Sequence, residues 1–185
     1  MTEPTPRIAP GGLRDVGPLA WTVAQVSGRV TGTTPPNVFL VLGRNRRLFR
    51  GWLRFAAKLM PGGRLPRADS ELVIVRVAHL AECPYELEQH RRLARRAGLS
   101  AVEVDRIVDG PDAPGWTPRQ RALLRAVDEL HHRRDLSDAT WAALREHLDE
   151  PTMLELVLLA GHYEMLATAI TALRVPADRA RGTGG

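Results

Sequence analysis

A chain of 185 residues, 44% hydrophobic and 25% charged, is long enough to bury a full core and has the composition of a soluble globular domain. Its formal charge of +5 raises the question of nucleic acid, but the bases are almost all arginines alternating with acids, and Lys58 is the single lysine. Zinc-finger spacing, aromatic–basic interleaving and a basic tail are missing, which argues against nucleic-acid binding, and one cysteine excludes an internal disulfide and fits a reducing cytoplasm.

The opening MTEPTPRIAPGG is rich in Pro and Gly, lacks the apolar core of a secretory signal, and reads as a flexible tail over 1–12. Leu19, Val23 and Val26 predict a first helix, and Thr31 to Pro36 a loop. Helical spacing then runs from Phe39 to Met60, and Pro61-Gly62-Gly63 ends it. Pro66 suits the first turn of the next helix, which contains ELVIVRVAHLAE. Pro84 suits the first turn of another, with Cys83 pushed into the capping position.

Further start signals follow. Ser100-x-x-Glu103, Thr117-Pro118-x-Gln120 and Thr152-x-x-Glu155 read as capping boxes, and Ser137 as the cap of a segment holding Trp141, Leu144 and Leu148. Gly98 suits a left-handed helix end. The apolar run Leu156 to Leu173 is broken by His162 and Glu164, which argues against a membrane span. Pro176 stops the last helix, and 176–185 reads as a disordered tail. The expectation is an all-α fold of about seven or eight helices, one domain over 13–175, with a central antiparallel hairpin.

The stretch AECPYELEQH, residues 81–90, carries the chemistry. At about 100° per residue, Glu86 and His90 fall in the only apolar arc of the helix that Pro84 begins, together with Ala94, Ala97, Leu87 and Leu93. Cys83 projects to the same side. A carboxylate and an imidazole one turn apart can meet, and the pair is suited to proton transfer near neutral pH. Glu71 adds a carboxylate from the preceding helix. A satisfied core pair, or a pair at a subunit contact, is the alternative. Cys83 at a helix start is favoured as thiolate by the backbone N–H groups and disfavoured by the nearby glutamates.

Residues Glu71, eleven others, Cys83-Pro-Tyr-Glu86, three others and His90 resemble the carboxymuconolactone decarboxylase family, which includes the alkylhydroperoxidase AhpD-like proteins. The AhpD pattern is Glu, eleven residues, Cys-x-x-Cys, three residues, His, and the likeness extends over about residues 35 to 175. The resemblance implies an all-α AhpD-like fold and a homo-oligomer, trimer or hexamer. It also implies that Glu71 is a relay glutamate, Cys83 the first cysteine and His90 a relay histidine. Glu86 stands where the dithiol members have their second cysteine, and Tyr85 where a histidine is common. A cycle closing an internal disulfide therefore cannot run.

Three functions follow. The first is a cofactor-free, metal-free acid–base lyase, decarboxylase or isomerase, acting on a small carboxylated lactone or related compound. His90 is its proton donor, Glu86 orients it or shares the proton, and Glu71 and Cys83 complete the catalytic set. The second is a one-cysteine peroxidase resolved by an outside thiol. The third is a non-catalytic oligomeric binding protein. Tyr85, Arg76, His162 and Tyr163 are the substrate-binding candidates, Arg76 as the cation for an anionic substrate. His131-His132 reads as a solvated helix end rather than a metal site. The setting is cytoplasmic, and the partner is a small molecule, with neither nucleic acid nor membrane.

Overall fold

The computed structural model describes residues 5–180, which hold nine α-helices and one 3-10 turn; the sole β feature among them is an isolated bridge between Thr33 and Ala180. The all-α expectation holds. The chain divides into two compact units, one comprising the chain up to Ala56 and from Ala169 onward, the other Ala57–Thr168.

The first unit contains α1 (Leu13–Thr31), α2 (Asn37–Leu42) and most of α3 (Arg46–Leu59). Gly17 at φ 78° followed by Pro18 breaks α1 into two pieces. The helical spacing read from Phe39 to Met60 is likewise two helices, separated at Gly43. A Cβ on Gly43 would lie 2.7 Å from Ala20 Cβ and 2.9 Å from Val16 Cβ, so glycine lets α1 and α2 touch. Val16, Ala20, Ala24, Leu40 and Phe49 form the core there, with Phe39, Leu42 and Trp52 packed on it.

Both expected tails are tied down where they are described. Gly11 N–H donates to Leu40 O at 3.0 Å and Arg7 N–H to Leu173 O at 3.1 Å. Asn37 N–H donates to Asp178 Oδ1 at 2.8 Å and its side-chain amide to Pro176 O at 3.1 Å. Backbone groups that find partners in the protein outcompete the disorder expected from Pro- and Gly-rich composition. Residues 1–4 and 181–185 lie outside the described residues.

The second unit holds the end of α3, then α4 (Arg67–Leu80), α5 (Pro84–Arg96), α6 (Ala101–Arg106), the 3-10 turn Ile107–Asp109, α7 (Pro118–Arg133), α8 (Asp138–Arg145) and most of α9 (Glu150–Leu173). Every residue of α4 from Ser70 to Ala78 is buried, because α5, α7 and the 3-10 turn pack around it. A helix apolar on all sides belongs at the centre of its layer. The capping boxes at Ser100/Glu103 and Thr117/Gln120 form, and Ser137 caps α8.

The third box does not form. Asp149 Oδ1 accepts from Thr152 N–H at 3.0 Å, which makes Asp149 the cap of α9. Glu155, one turn on, instead takes the backbone N–H groups of Arg64 at 2.7 Å and Leu65 at 3.0 Å. A Cβ on Gly63 would collide with this carboxylate. Helix α9 is the one described helix long and apolar enough to cross a membrane by length and composition; Leu156, Leu159, Ala160 and Ala167 on it are buried.

Candidate active site

The turn between α4 and α5 sets the geometry. Glu82 adopts φ 48°, a left-handed conformation, and Cys83 N–H reaches back to Ala78 O at 2.9 Å, closing α4. The chain then reverses at Cys83, the cap residue of α5, and Pro84 begins the new helix as expected. The reversal brings the first turns of α4 beside the middle of α5.

Glu71, fully buried, meets two nitrogen donors from opposite ends of its carboxylate. Its Oε2 lies 2.8 Å from His90 Nδ1, and its Oε1 lies 2.6 Å from Arg67 Nη2. With a carboxylate flanked by a guanidinium as acceptor, Nδ1 carries a proton directed at Glu71. The ring stands edge-on to Tyr163 at 5.0 Å between centroids, and Tyr163 stands edge-on to His162 at 5.3 Å.

Glu86 is the unusual group. It is 2% exposed, and neither carboxylate oxygen has a hydrogen bond of good geometry. Burial pushes its carboxyl up to about 8; the adjacent Cys83 thiol favours the charged form and offsets this only in part, while the charge of Glu164 adds to it. At neutral pH the side chain is therefore a carboxylic acid with a proton to give. Cys83 itself is 1% exposed. Burial, followed by the charges of Glu71 and Glu86, raises the Tyr163 phenol, and burial lowers His162.

Residues 46–129, which contain this hairpin, match the profile of the carboxymuconolactone decarboxylase family. The sequence finds no match among curated proteins. The fold of the chain is shared by several solved structures. An uncharacterized peroxidase-related protein with an alkylhydroperoxidase AhpD core, from Ralstonia eutropha JMP134, superposes with TM-score 0.82 at 19% identity over 95% of this chain and 94% of that one. A peroxidase-related protein from Silicibacter sp. TM1040 gives 0.80 at 18% over 98% of each chain. A cysteine-to-alanine variant of the debrominase Bmp8, in complex with 2,3,4-tribromopyrrole, gives 0.79 at 16% over 97% and 96%.

The structure gathers Glu71, Cys83, Glu86 and His90 on the facing sides of α4 and α5, with Tyr163 of α9 against His90. It reassigns one contact. His90 is oriented by Glu71 and not by Glu86, because the antiparallel packing presents the first turns of α4 to Nδ1. Tyr85 is half-buried in the first turn of α5.

Arg76 is a correction. Its Nε and Nη2 hold both oxygens of Asp128 at 2.7 and 2.9 Å, and Nη1 donates to Ile107 O and Val108 O at 3.1 and 2.8 Å. Five residues beyond Glu71, it points about 140° away around α4 and joins α7 and the 3-10 turn. The cation in contact with Glu71 is Arg67, one helical turn before it. Glu164 pairs with His131 at 2.5 Å and with Arg134 at 3.5 Å, so His131 anchors α9 rather than ending α7 in solvent.

Proposed function

We propose that the protein is an acid–base enzyme of the lyase type acting on a small carboxylated compound, and that the protonated Glu86 carboxyl is its principal proton source. The observation that carries this reading is a buried carboxylic acid without a good hydrogen-bond donor, beside an imidazole whose tautomer is held by a second carboxylate. Loss of CO₂ from a carboxylate leaves its bonding electron pair on carbon as an enolate. A proton from Glu86 or from His90 Nε2 then quenches that carbon, and solvent restores it. The reaction calls on side chains alone. Glu71, backed by Arg67, keeps the imidazole in register, and Tyr163 packs against the ring.

A second reading, a one-cysteine peroxidase, is supported by Cys83 at the start of α5 and by the peroxidase-related proteins that share the fold. There the Cys83 thiolate would attack the peroxide, releasing alcohol and forming a sulfenic acid that an external thiol reduces. Cys83 is 1% exposed, which limits the access of a peroxide and of an external thiol and favours the first reading. The debrominase that shares the fold adds small planar rings to the substrates worth assaying. We take the protein as cytoplasmic and homo-oligomeric, a trimer or hexamer. The exposed Leu154, Leu158 and Met165 on one side of α9 support assembly.

The test is a panel of carboxylated lactones assayed for CO₂ release, run beside alkyl hydroperoxides with a thiol reductant. Glu86→Gln and His90→Ala each lower kcat for CO₂ release by about 10²-fold or more, while Cys83→Ser changes it little. Peroxide turnover that Cys83→Ser abolishes, with no CO₂ release from any lactone, would install the second reading. Ligand-dependent thermal shifts without turnover of either class would leave a binding protein.

A further inference from the structure

Helix α5 has a second polar face. Glu88, Arg91, Arg92 and Arg95 follow the i, i+3, i+4, i+7 spacing, roughly opposite Glu86 and His90 on the helix. Together with Ala101, Val104 and Asp105 of α6 they line a groove on the outside of the hairpin.

Charge in this groove is not balanced. Arg91 Nη2 pairs with Asp105 at 2.9 Å, but Arg92 Nη2 stands 3.8 Å from Glu88, too far for a hydrogen bond. Arg95 is exposed and forms no ion pair among the described residues. The Nε–H groups of both Arg91 and Arg92 are shielded from solvent and lack an acceptor. Three guanidinium groups thus face two carboxylates, with donor capacity left over.

We infer that this groove is a binding site for a compact, multiply charged anion, a phosphate monoester group, held by Arg91, Arg92 and Arg95. A tetrahedral phosphate offers several acceptor oxygens to guanidinium groups converging from one and a half helical turns, and arginine forks suit it in geometry as well as charge. The groove has no aromatic side chain on which a base could stack. A small molecule fits this arrangement better than a polynucleotide.

Titration with inorganic phosphate and with phenyl phosphate, at ionic strength fixed by chloride, tests the site through ¹H–¹⁵N shifts of residues in α5 and α6. The expected result is saturable shifts confined to those helices, with affinity reduced about tenfold or more by Arg92→Gln with Arg95→Gln. Both side chains are partly exposed, and circular dichroism verifies that the variant folds. An equal response to chloride alone, or unchanged affinity in the variant, would overturn the site. A short DNA duplex that binds with a steep salt dependence while phosphate does not would overturn the small-anion assignment in favour of a phosphodiester backbone.

Discussion

Glu71 and His90 are nineteen residues apart in the chain, yet their side chains meet at 2.8 Å, one from the first turns of α4 and the other from the middle of α5. The contact fixes the imidazole, and Arg67 at 2.6 Å on the other oxygen keeps the fully buried carboxylate from standing alone. Removing Arg67 leaves a buried charge supported by His90 only. Because the Arg67 side chain is 42% exposed, water recovers part of the loss, and Arg67→Ala is expected to cost about 1–3 kcal/mol. Urea unfolding measures this, and Arg67→Lys should restore part of it.

Stability should fall as pH rises through the range in which Glu86 holds its extra proton. Its carboxyl goes from 4.5 in an unfolded chain to about 8 in the fold, so between those values the native state binds a proton that the unfolded state lacks. Unfolding free energy therefore declines as pH rises across the window and levels off above it, by at most about 5 kcal/mol. Glu86→Gln lacks this decline. Urea midpoints for both proteins at about pH 5 and about pH 9 provide the check; parallel curves would mean that Glu86 titrates normally.

Arg76→Ala should act on the fold and not on turnover. The substitution strands a half-buried Asp128 and two backbone carbonyls, at a cost of about 1–3 kcal/mol. Thermal unfolding should show a large drop in Tm, with kcat per folded molecule unchanged at a permissive temperature. A selective rise in KM would return Arg76 to the substrate site.

Glu82 occupies a left-handed conformation that glycine adopts without strain. Glu82→Gly should leave stability unchanged or raise it by up to about 1 kcal/mol, whereas Glu82→Val should lower it by at least that amount. Paired denaturation curves decide the matter.

Sequence periodicity revealed the helices, three of the four proposed caps and the hairpin, because each depends on neighbours within a few residues. The inward placement of Glu86 was legible for the same reason: one apolar arc on a very polar helix leaves a single buried side. Partners across helices were less legible. The i, i+4 spacing suggested that Glu86 orients His90, but packing gave that role to Glu71. Arg76 looked like a substrate cation because its acceptors, Asp128 and the Ile107 and Val108 carbonyls, come from segments more than thirty residues away. Glu155 satisfied a local capping pattern and instead serves a loop about ninety residues earlier.

That last contact makes α9 the clasp of the hairpin. Glu155 pins the approach to Arg67, Tyr163 leans on the His90 ring, and Glu164 is fastened to α7 through His131. A fragment cut before Glu150 would retain Glu71, Cys83, Glu86 and His90 and still lose the wall that keeps them dry. The proton chemistry proposed for a short motif would in this way depend on a helix outside it.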